Sequence, residues 1–411
     1  MRIVLSLLAL ALVEQAGGGP WWRAGGAEPA ARKPDEDRKV ARGRELFSRQ
    51  WVPDDERSKG GDGLGPVYNE RSCVNCHDRG GPGGGGSADK NIELITPGST
   101  SLAPEGAVNP GYFYAFSFSY GPQGFEYRIG DPAAGAKRGA RVSPPIVADL
   151  VQIHPGFRTA PSVVLHRYGN DRDYRAWREW VLGQHGAISF KRSQRNPTPL
   201  FGQGLIDAIP DEAIEAGTRR RHPGWPGVRG RVSRLPDGRI GRFGWKAQTA
   251  TLREFILSAA AVELGLEVPG HAQAGDPRIP PLPASGCDMN QEDCDALVAY
   301  VRSLPAPTNE IPPAPKDARS VKAGKSVFKS IGCAVCHTPR LGDVDGLYSD
   351  LLLHSMSPEL SDTGIYGAFL AGPAPVVPVA LPARPNSDRT GAGLQEWRTP
   401  PLWGLRDSGP Y

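Results

Sequence analysis

The sequence is short of several things that a chain of 411 residues can have. It has no surplus of charge: 48 basic residues stand against 44 acidic ones, for a net of +4. No basic run is long enough to follow a nucleic acid, so that class of partner is excluded. Nor is there a membrane-length apolar run. The stretch Ile3–Val13, after Met1-Arg2, is eleven residues, too few to cross a bilayer but suited to the core of a secretory signal. Residues 1–27 are read as that signal, with Ala16 and Ala27 as candidate cleavage sites, and the expected location is the periplasm. A buried N-terminal helix is the alternative. Sulfur is scarce as well, with six cysteines and three methionines, so the position of each matters. What is plentiful is glycine (52) and proline (41), which makes much of the chain turn and loop. The length exceeds what one compact core usually holds, and two or more domains are expected.

Residues 28–42 are charged and contain proline, and read as a flexible leader. A short helical pattern follows, Gly43-Arg44-Glu45-Leu46-Phe47, and recurs as Gly324-Lys325-Ser326-Val327-Phe328. Each copy precedes a Cys-x-x-Cys-His: Cys73-Val74-Asn75-Cys76-His77 and Cys333-Ala334-Val335-Cys336-His337. A unit that occurs twice signals two related domains. Between the copies, Tyr112–Tyr120, Phe125–Ile129 and Ser162–Tyr168 alternate in the manner of strands. Pro210–Ala216, Thr251–Leu264 and Asp293–Leu304 read as helices. Pro305–Pro315 is a stiff extended linker, since successive prolines cannot continue a helix. After residue 371 the chain is rich in proline and glycine and reaches Tyr411 without another helical pattern.

Two cysteines three apart lie on one face of a helical turn. There their sulfurs can form thioethers with the two vinyl groups of a porphyrin, and the adjacent histidine can ligate the iron. Zinc is a poorer reading, because two Cys-x-x-Cys pairs that share an ion are usually close in sequence. A thioredoxin-like motif leaves the histidine unexplained. The expected cofactors are therefore two covalently bound c-type haems, held by Cys73, Cys76 and His77 and by Cys333, Cys336 and His337. The remaining pair, Cys287 and Cys294, reads as a local disulfide in an oxidising compartment. The expected fold class is mainly α. It comprises two cytochrome c-type domains, at 37–308 and 318–411, joined by the proline-rich linker at 309–317. The first carries a large loop- and strand-containing insertion at about 90–245. Such a domain normally closes with a C-terminal helix, so the second unit is expected to be truncated.

Gly63-Leu64-Gly65-Pro66-Val67-Tyr68-Asn69, then Cys73–His77, Gly241-Arg242-Phe243-Gly244-Trp245-Lys246 and Trp397-Arg398-Thr399-Pro400-Pro401-Leu402-Trp403-Gly404 carry a further signal. Together they resemble the bacterial di-haem oxidoreductases, a family related to the di-haem cytochrome c peroxidases. The resemblance runs from about residue 41 to the end. It implies that Trp245 is a relay between the haems and that Glu263 is a catalytic carboxylate over the open face of the first. A carboxylate there could move peroxide's proton from the inner to the outer oxygen. It also implies a calcium ion held at Asn196, Thr399 and Pro401. Ser408-Gly409-Pro410-Tyr411 would lead into Leu-His-Asp-Gly and a further helix in that family. This sequence departs from the pattern in places, with Trp-Lys-Ala-Gln for Trp-Asp-Gly-Arg at residue 245 and Phe255 where glutamine is usual.

The second axial ligands decide between catalysis and pure electron transfer. Residues 78–97, where many di-haem peroxidases keep a displaceable histidine, contain none. The first iron is then open, or capped by His154 or His166. For the second iron the candidates are Met356, His354 or a residue beyond Tyr411. Three readings stay open at this point. The first is a periplasmic peroxidase fed by a small redox donor protein or a quinol-linked cytochrome. The second is an electron-transfer cytochrome without its own substrate, and the third a related oxidase acting on an organic or protein substrate.

Overall fold

The computed structural model describes residues 33–98, 115–121, 124–130, 140–141, 150–158, 160, 162–185, 188–279, 285–307, 315–362 and 391–405. A helix, Pro34–Ser48, begins inside the stretch read as a flexible leader. Proline in its first turn brings a backbone angle already set for a helix. Asp35, Glu36 and Asp37 sit beside the free amide groups of that turn, where negative charge is favoured. Charge and proline, taken as marks of a leader, are here the marks of a helix start.

The helix Gln291–Ser303 packs across this first helix. Its start is capped by Asn290, whose side chain accepts from the Asp293 amide at 2.9 Å. The crossing is at Gly43, where a Cβ would lie 1.9 Å from the Ala296 carbonyl oxygen and 2.7 Å from the Tyr300 Cβ. Only the missing side chain lets the two backbones meet. One turn on, Phe47 rests on Tyr300 with ring centroids 5.2 Å apart. A third helix, Leu252–Glu263, starts from a capping box of Thr251 and Glu254 and buries Leu252, Leu257 and Ala260. The helix begun at Pro210 spans Asp211–Thr218.

The remaining chain is extended and tied up in small sheets. Ile92–Gly98 lies between Val163–Val164 and Ser189–Arg195, antiparallel to both. Ala115–Gly121 and Gly124–Gly130 form a hairpin with Ala140–Arg141 at its edge. Leu353–Ser355 lies between Glu396–Arg398 and Gly230–Arg231, joining three distant parts of the sequence. The fold class is therefore mixed α and β, and the expectation of a mainly α chain of cytochrome c type is corrected. Strand is not confined to the inserted region, since residues 353–355 and 396–398 pair as well. Glycine and proline interrupt most runs before a helix can be nucleated, and the short extended pieces left over satisfy their backbone groups on one another.

One cluster of buried apolar side chains runs from Leu46, Phe47 and Trp51 through Leu252, Leu257 and Leu297 to Leu341, Leu351, Leu352 and Trp403. Residues on both sides of the proline-rich stretch thus contribute to a single core. A second cluster, including Ile95, Phe157, Leu165 and Val181, lies against the Ile92–Gly98 sheet. The helix of the repeated unit, Pro315–Ser330, is more open: Val327 is 53% exposed, and Ile331, just past its end, 59%. Among the described residues no helix is long and apolar enough to cross a membrane.

Candidate functional site

The first Cys-x-x-Cys-His occupies a single helical turn, Cys73–Cys76, with His77 as its C-terminal cap. The His77 Nδ1 lies 3.1 Å from the Gly84 carbonyl oxygen. A carbonyl only accepts, so the tautomer that serves this contact has its proton on Nδ1, the arrangement of a metal-ligating histidine; the Thr198 backbone bonds the ring as well. Desolvation by the surrounding protein pushes this imidazole down to about 4, which keeps it neutral. The second motif repeats the geometry on a 3-10 turn, Cys333–Val335, where His337 Nδ1 donates to the Tyr348 carbonyl at 2.9 Å. The phenylalanine of each repeat also stands by its histidine. Phe47 is 6.5 Å from His77 and Phe328 is 6.4 Å from His337, between ring centroids.

Cys73, Cys76 and His77 open onto a largely apolar cavity of about 340 Å³, within the usual range for ligand and cofactor pockets. The helix Leu252–Glu263 supplies Leu252, Phe255, Ile256 and Glu263 to its lining, and Trp245 lines it too. Glu263 is held from a direction the sequence did not suggest. Asn69 Nδ2 donates to its Oε2 at 2.8 Å, and the Asn69 amide donates to its backbone oxygen at 2.7 Å. Asn69 is itself fixed, its Oδ1 accepting from the Arg167 amide at 2.9 Å. Glu70 is a second carboxylate on the lining, paired with Lys90. Burial, with the charges of Glu263 and Glu70 added, raises the Cys76 thiol well above its usual range. Neither Asn69 nor Glu70 was singled out as a functional residue. Their nearness to Cys73 in sequence was the available signal.

Of the other sequence candidates, some converge on the cavity and some do not. Asn196 and Pro401 line it. Thr399 does not, and its carbonyl accepts from Ser349 Oγ at 2.7 Å. Asn196 Nδ2 is spent on Gly86 and Asn91. No group of three or more His, Cys, Asp or Glu side chains is placed to hold a metal ion among the described residues. Calcium binds through oxygen, and Asn196 Oδ1 is buried with no hydrogen-bond partner among the described residues, so these contacts leave calcium as an expectation. His154 accepts from the Gly156 amide and packs on Trp177, and burial lowers it to about 3. His166 Nε2 donates to the Val262 carbonyl at 2.9 Å. Met356 is 44% exposed. His354 is buried, with Nε2 2.9 Å from Asp350 Oδ2 and Nδ1 3.6 Å from Cys336 Sγ. Burial opposes its protonation, but those two contacts outweigh burial and raise it to about 10. Cys287 and Cys294 are both free thiols, which corrects the expected disulfide. Cys294 sits inside the buried face of the Gln291–Ser303 helix.

Trp245 meets Trp397 edge-on, with ring centroids 6.4 Å apart at 85°. Trp397 pairs across its sheet with His354, the residue at Cys336. A run of neighbouring side chains therefore leads from the second motif to the cavity of the first. No family model matches this chain, and no curated protein or solved structure does either.

Proposed function

We propose that the chain is a periplasmic di-haem c-type oxidoreductase that reduces hydrogen peroxide, with electrons from a small redox protein or a quinol-linked cytochrome. The observation that carries this reading is the pair of histidines. Each directly follows two cysteines on one turn, and each gives its Nδ1 proton to a backbone carbonyl, leaving Nε2 as the ligand atom. Haem, when bound, supplies the redox chemistry. The protein's part is to bind, orient and move protons. His77 and His337 present Nε2, while Cys73, Cys76, Cys333 and Cys336 present the attaching sulfurs. The largely apolar lining of the cavity limits water. Glu263 stands on that lining as the proton-carrying group, and Asn69 fixes which way its carboxylate faces. Trp245 and Trp397 fill the gap between the two motifs with aromatic rings.

Among the described residues no histidine or methionine other than His77 lines the cavity. That favours an open site for substrate over the electron-carrier reading. A pyridine haemochrome assay of the mature protein tests the proposal and should find two covalent haems per chain. Cys73→Ala and Cys333→Ala should each lose or loosen one. A count of zero, or zinc in place of haem, ends the reading. An absorption spectrum with a high-spin ferric band on one haem supports the peroxidase, and two low-spin haems support the carrier.

A further inference from the structure

Four arginines are buried among the described residues: Arg49, Arg195, Arg242 and Arg398. Three have a carboxylate. Arg49 pairs with Glu45 at 2.9 Å, Arg195 with Asp362 at 3.0 Å, and Arg242 with Asp211. Arg398 has none among the described residues. Its Nε donates to the Gly244 carbonyl at 2.7 Å and its Nη1 reaches the Thr399 carbonyl at 3.4 Å. Both contacts orient the guanidinium without neutralising it. The backbone is pinned as well: Arg398 pairs with Leu353 across the sheet, and its amide donates to the Trp245 carbonyl at 3.0 Å. The residue is only 9% exposed, and it lines the cavity that holds Cys73, Cys76 and His77. Burial lowers the guanidinium to about 10, so it stays charged at neutral pH.

A buried charge without a partner is costly, and chains keep one where a counter-charge arrives from elsewhere. We infer that Arg398 is the anion-binding residue of this cavity and that its partner is a carboxylate of the occupant, a haem propionate. The inference rests on the di-haem reading above. It goes further in assigning an acid group of that cofactor to a particular side chain. A planar fork of N–H donors is suited to a carboxylate, and the two carbonyls that hold Nε and Nη1 leave Nη2 for it. A free carboxylate ion entering the cavity would use the same chemistry, and the experiment separates the two.

Arg398→Gln and Arg398→Lys are made in the full-length holoprotein, and haem content is measured first. Spectroelectrochemistry then reads both haem potentials, and resonance Raman reads the propionate bending modes. Loss of a positive charge beside a propionate favours the ferric form. Arg398→Gln should therefore lower the potential of one haem and shift its propionate mode, leaving the other haem unchanged. Arg398→Lys should recover part of the shift. Added acetate should leave the wild-type spectrum unaltered. Unchanged potentials and propionate modes in Arg398→Gln with both haems retained would overturn the assignment. An acetate titration seen in the wild type and lost in Arg398→Gln would also overturn it, in favour of a free-anion site. A wild-type chain with no covalent haem is a separate result: it refutes the di-haem reading itself, and the propionate assignment falls with it.

Discussion

The same substitution at the two equivalent glycines of the repeat should have opposite signs. At Gly43 an added methyl would sit 1.9 Å from the Ala296 carbonyl oxygen and 2.7 Å from the Tyr300 Cβ. The nearest obstacle is backbone, so no rotamer change relieves it. The helices Pro34–Ser48 and Gln291–Ser303 must separate by more than an ångström, at the cost of the Phe47–Tyr300 contact and its neighbours in the core. Overpacking of this kind costs about 3 kcal/mol at the upper end of its usual range. Alanine's better helix propensity returns roughly 1 kcal/mol, for a net loss near 2 kcal/mol. At Gly324 no described atom lies within 4 Å of the position a Cβ would take. Only the propensity term remains there, a gain of up to about 1 kcal/mol. Urea unfolding followed by far-ultraviolet circular dichroism measures both, with slopes checked for equality so that midpoints can be compared. Gly43→Ala should move the midpoint down and Gly324→Ala slightly up. Shifts of the same sign, or a neutral Gly43→Ala, would refute the close helix crossing at Gly43.

Glu263→Gln should keep both haems and slow peroxide turnover by roughly a hundredfold, the usual size of a lost acid–base group; unchanged turnover removes its role. Asn69→Leu should slow turnover as well and shift its pH profile, because the carboxylate loses the amide that fixes it; a changed rate with an unmoved profile would make Asn69 merely structural. Burial holds His154 at about 3 and His166 at about 4, so both are neutral in the folded chain. The unfolded chain protonates them near 6.5, so this stability is complete above that pH and lost as pH falls toward 4, by about 1.4 kcal/mol per unit for each ring. Urea midpoints that stay level from pH 7.5 to 5 would contradict that burial.

What the sequence disclosed and what it hid follow from how far each signal acts. The two Cys-x-x-Cys-His motifs and their Gly-x-x-x-Phe turns are local patterns, and the structure builds the same local geometry twice. The helices Leu252–Glu263 and Gln291–Ser303 were legible from their apolar faces, while the caps that start them, Thr251 and Asn290, emerged only in the structure. The strands Ala115–Gly121 and Gly124–Gly130 were legible from alternation, though their pairing was not. Pairing at a distance was not. Leu353–Ser355 is three residues long, and nothing in it names Glu396–Arg398 or Gly230–Arg231 as partners. Asn69 reaches Glu263 across 194 positions, which no spacing rule could reveal. Cys287 and Cys294 are close in sequence, yet both are free thiols, and spacing alone does not tell a bonded pair from an unbonded one.

The two motifs differ in their surroundings more than in themselves, and the proposed function can use that difference. Around His77 the protein closes in. The helix Leu252–Glu263, Trp245 and the stretch Pro400–Trp403 together enclose a cavity with Glu263 and Arg398 on its wall. Such a site suits a small substrate that must meet a proton-carrying group away from bulk water. Among the described residues Cys333, Cys336 and His337 are partly exposed, as Cys73 and His77 also are, and the helix before the second motif shows Val327 and Lys329 to solvent. An electron needs no cavity, only a cofactor edge that a donor protein can approach. On the di-haem reading, the motif on the cavity is the reaction chamber and the motif beside the solvent-facing helix the entry point. His354, Trp397 and Trp245 lie between them in the order such a passage requires. Replacing Trp397 with leucine tests that order. It should leave peroxide binding at the His77 site unchanged while slowing reoxidation of the second haem in a stopped-flow experiment. An unchanged rate would show that the tryptophan pair is packing alone.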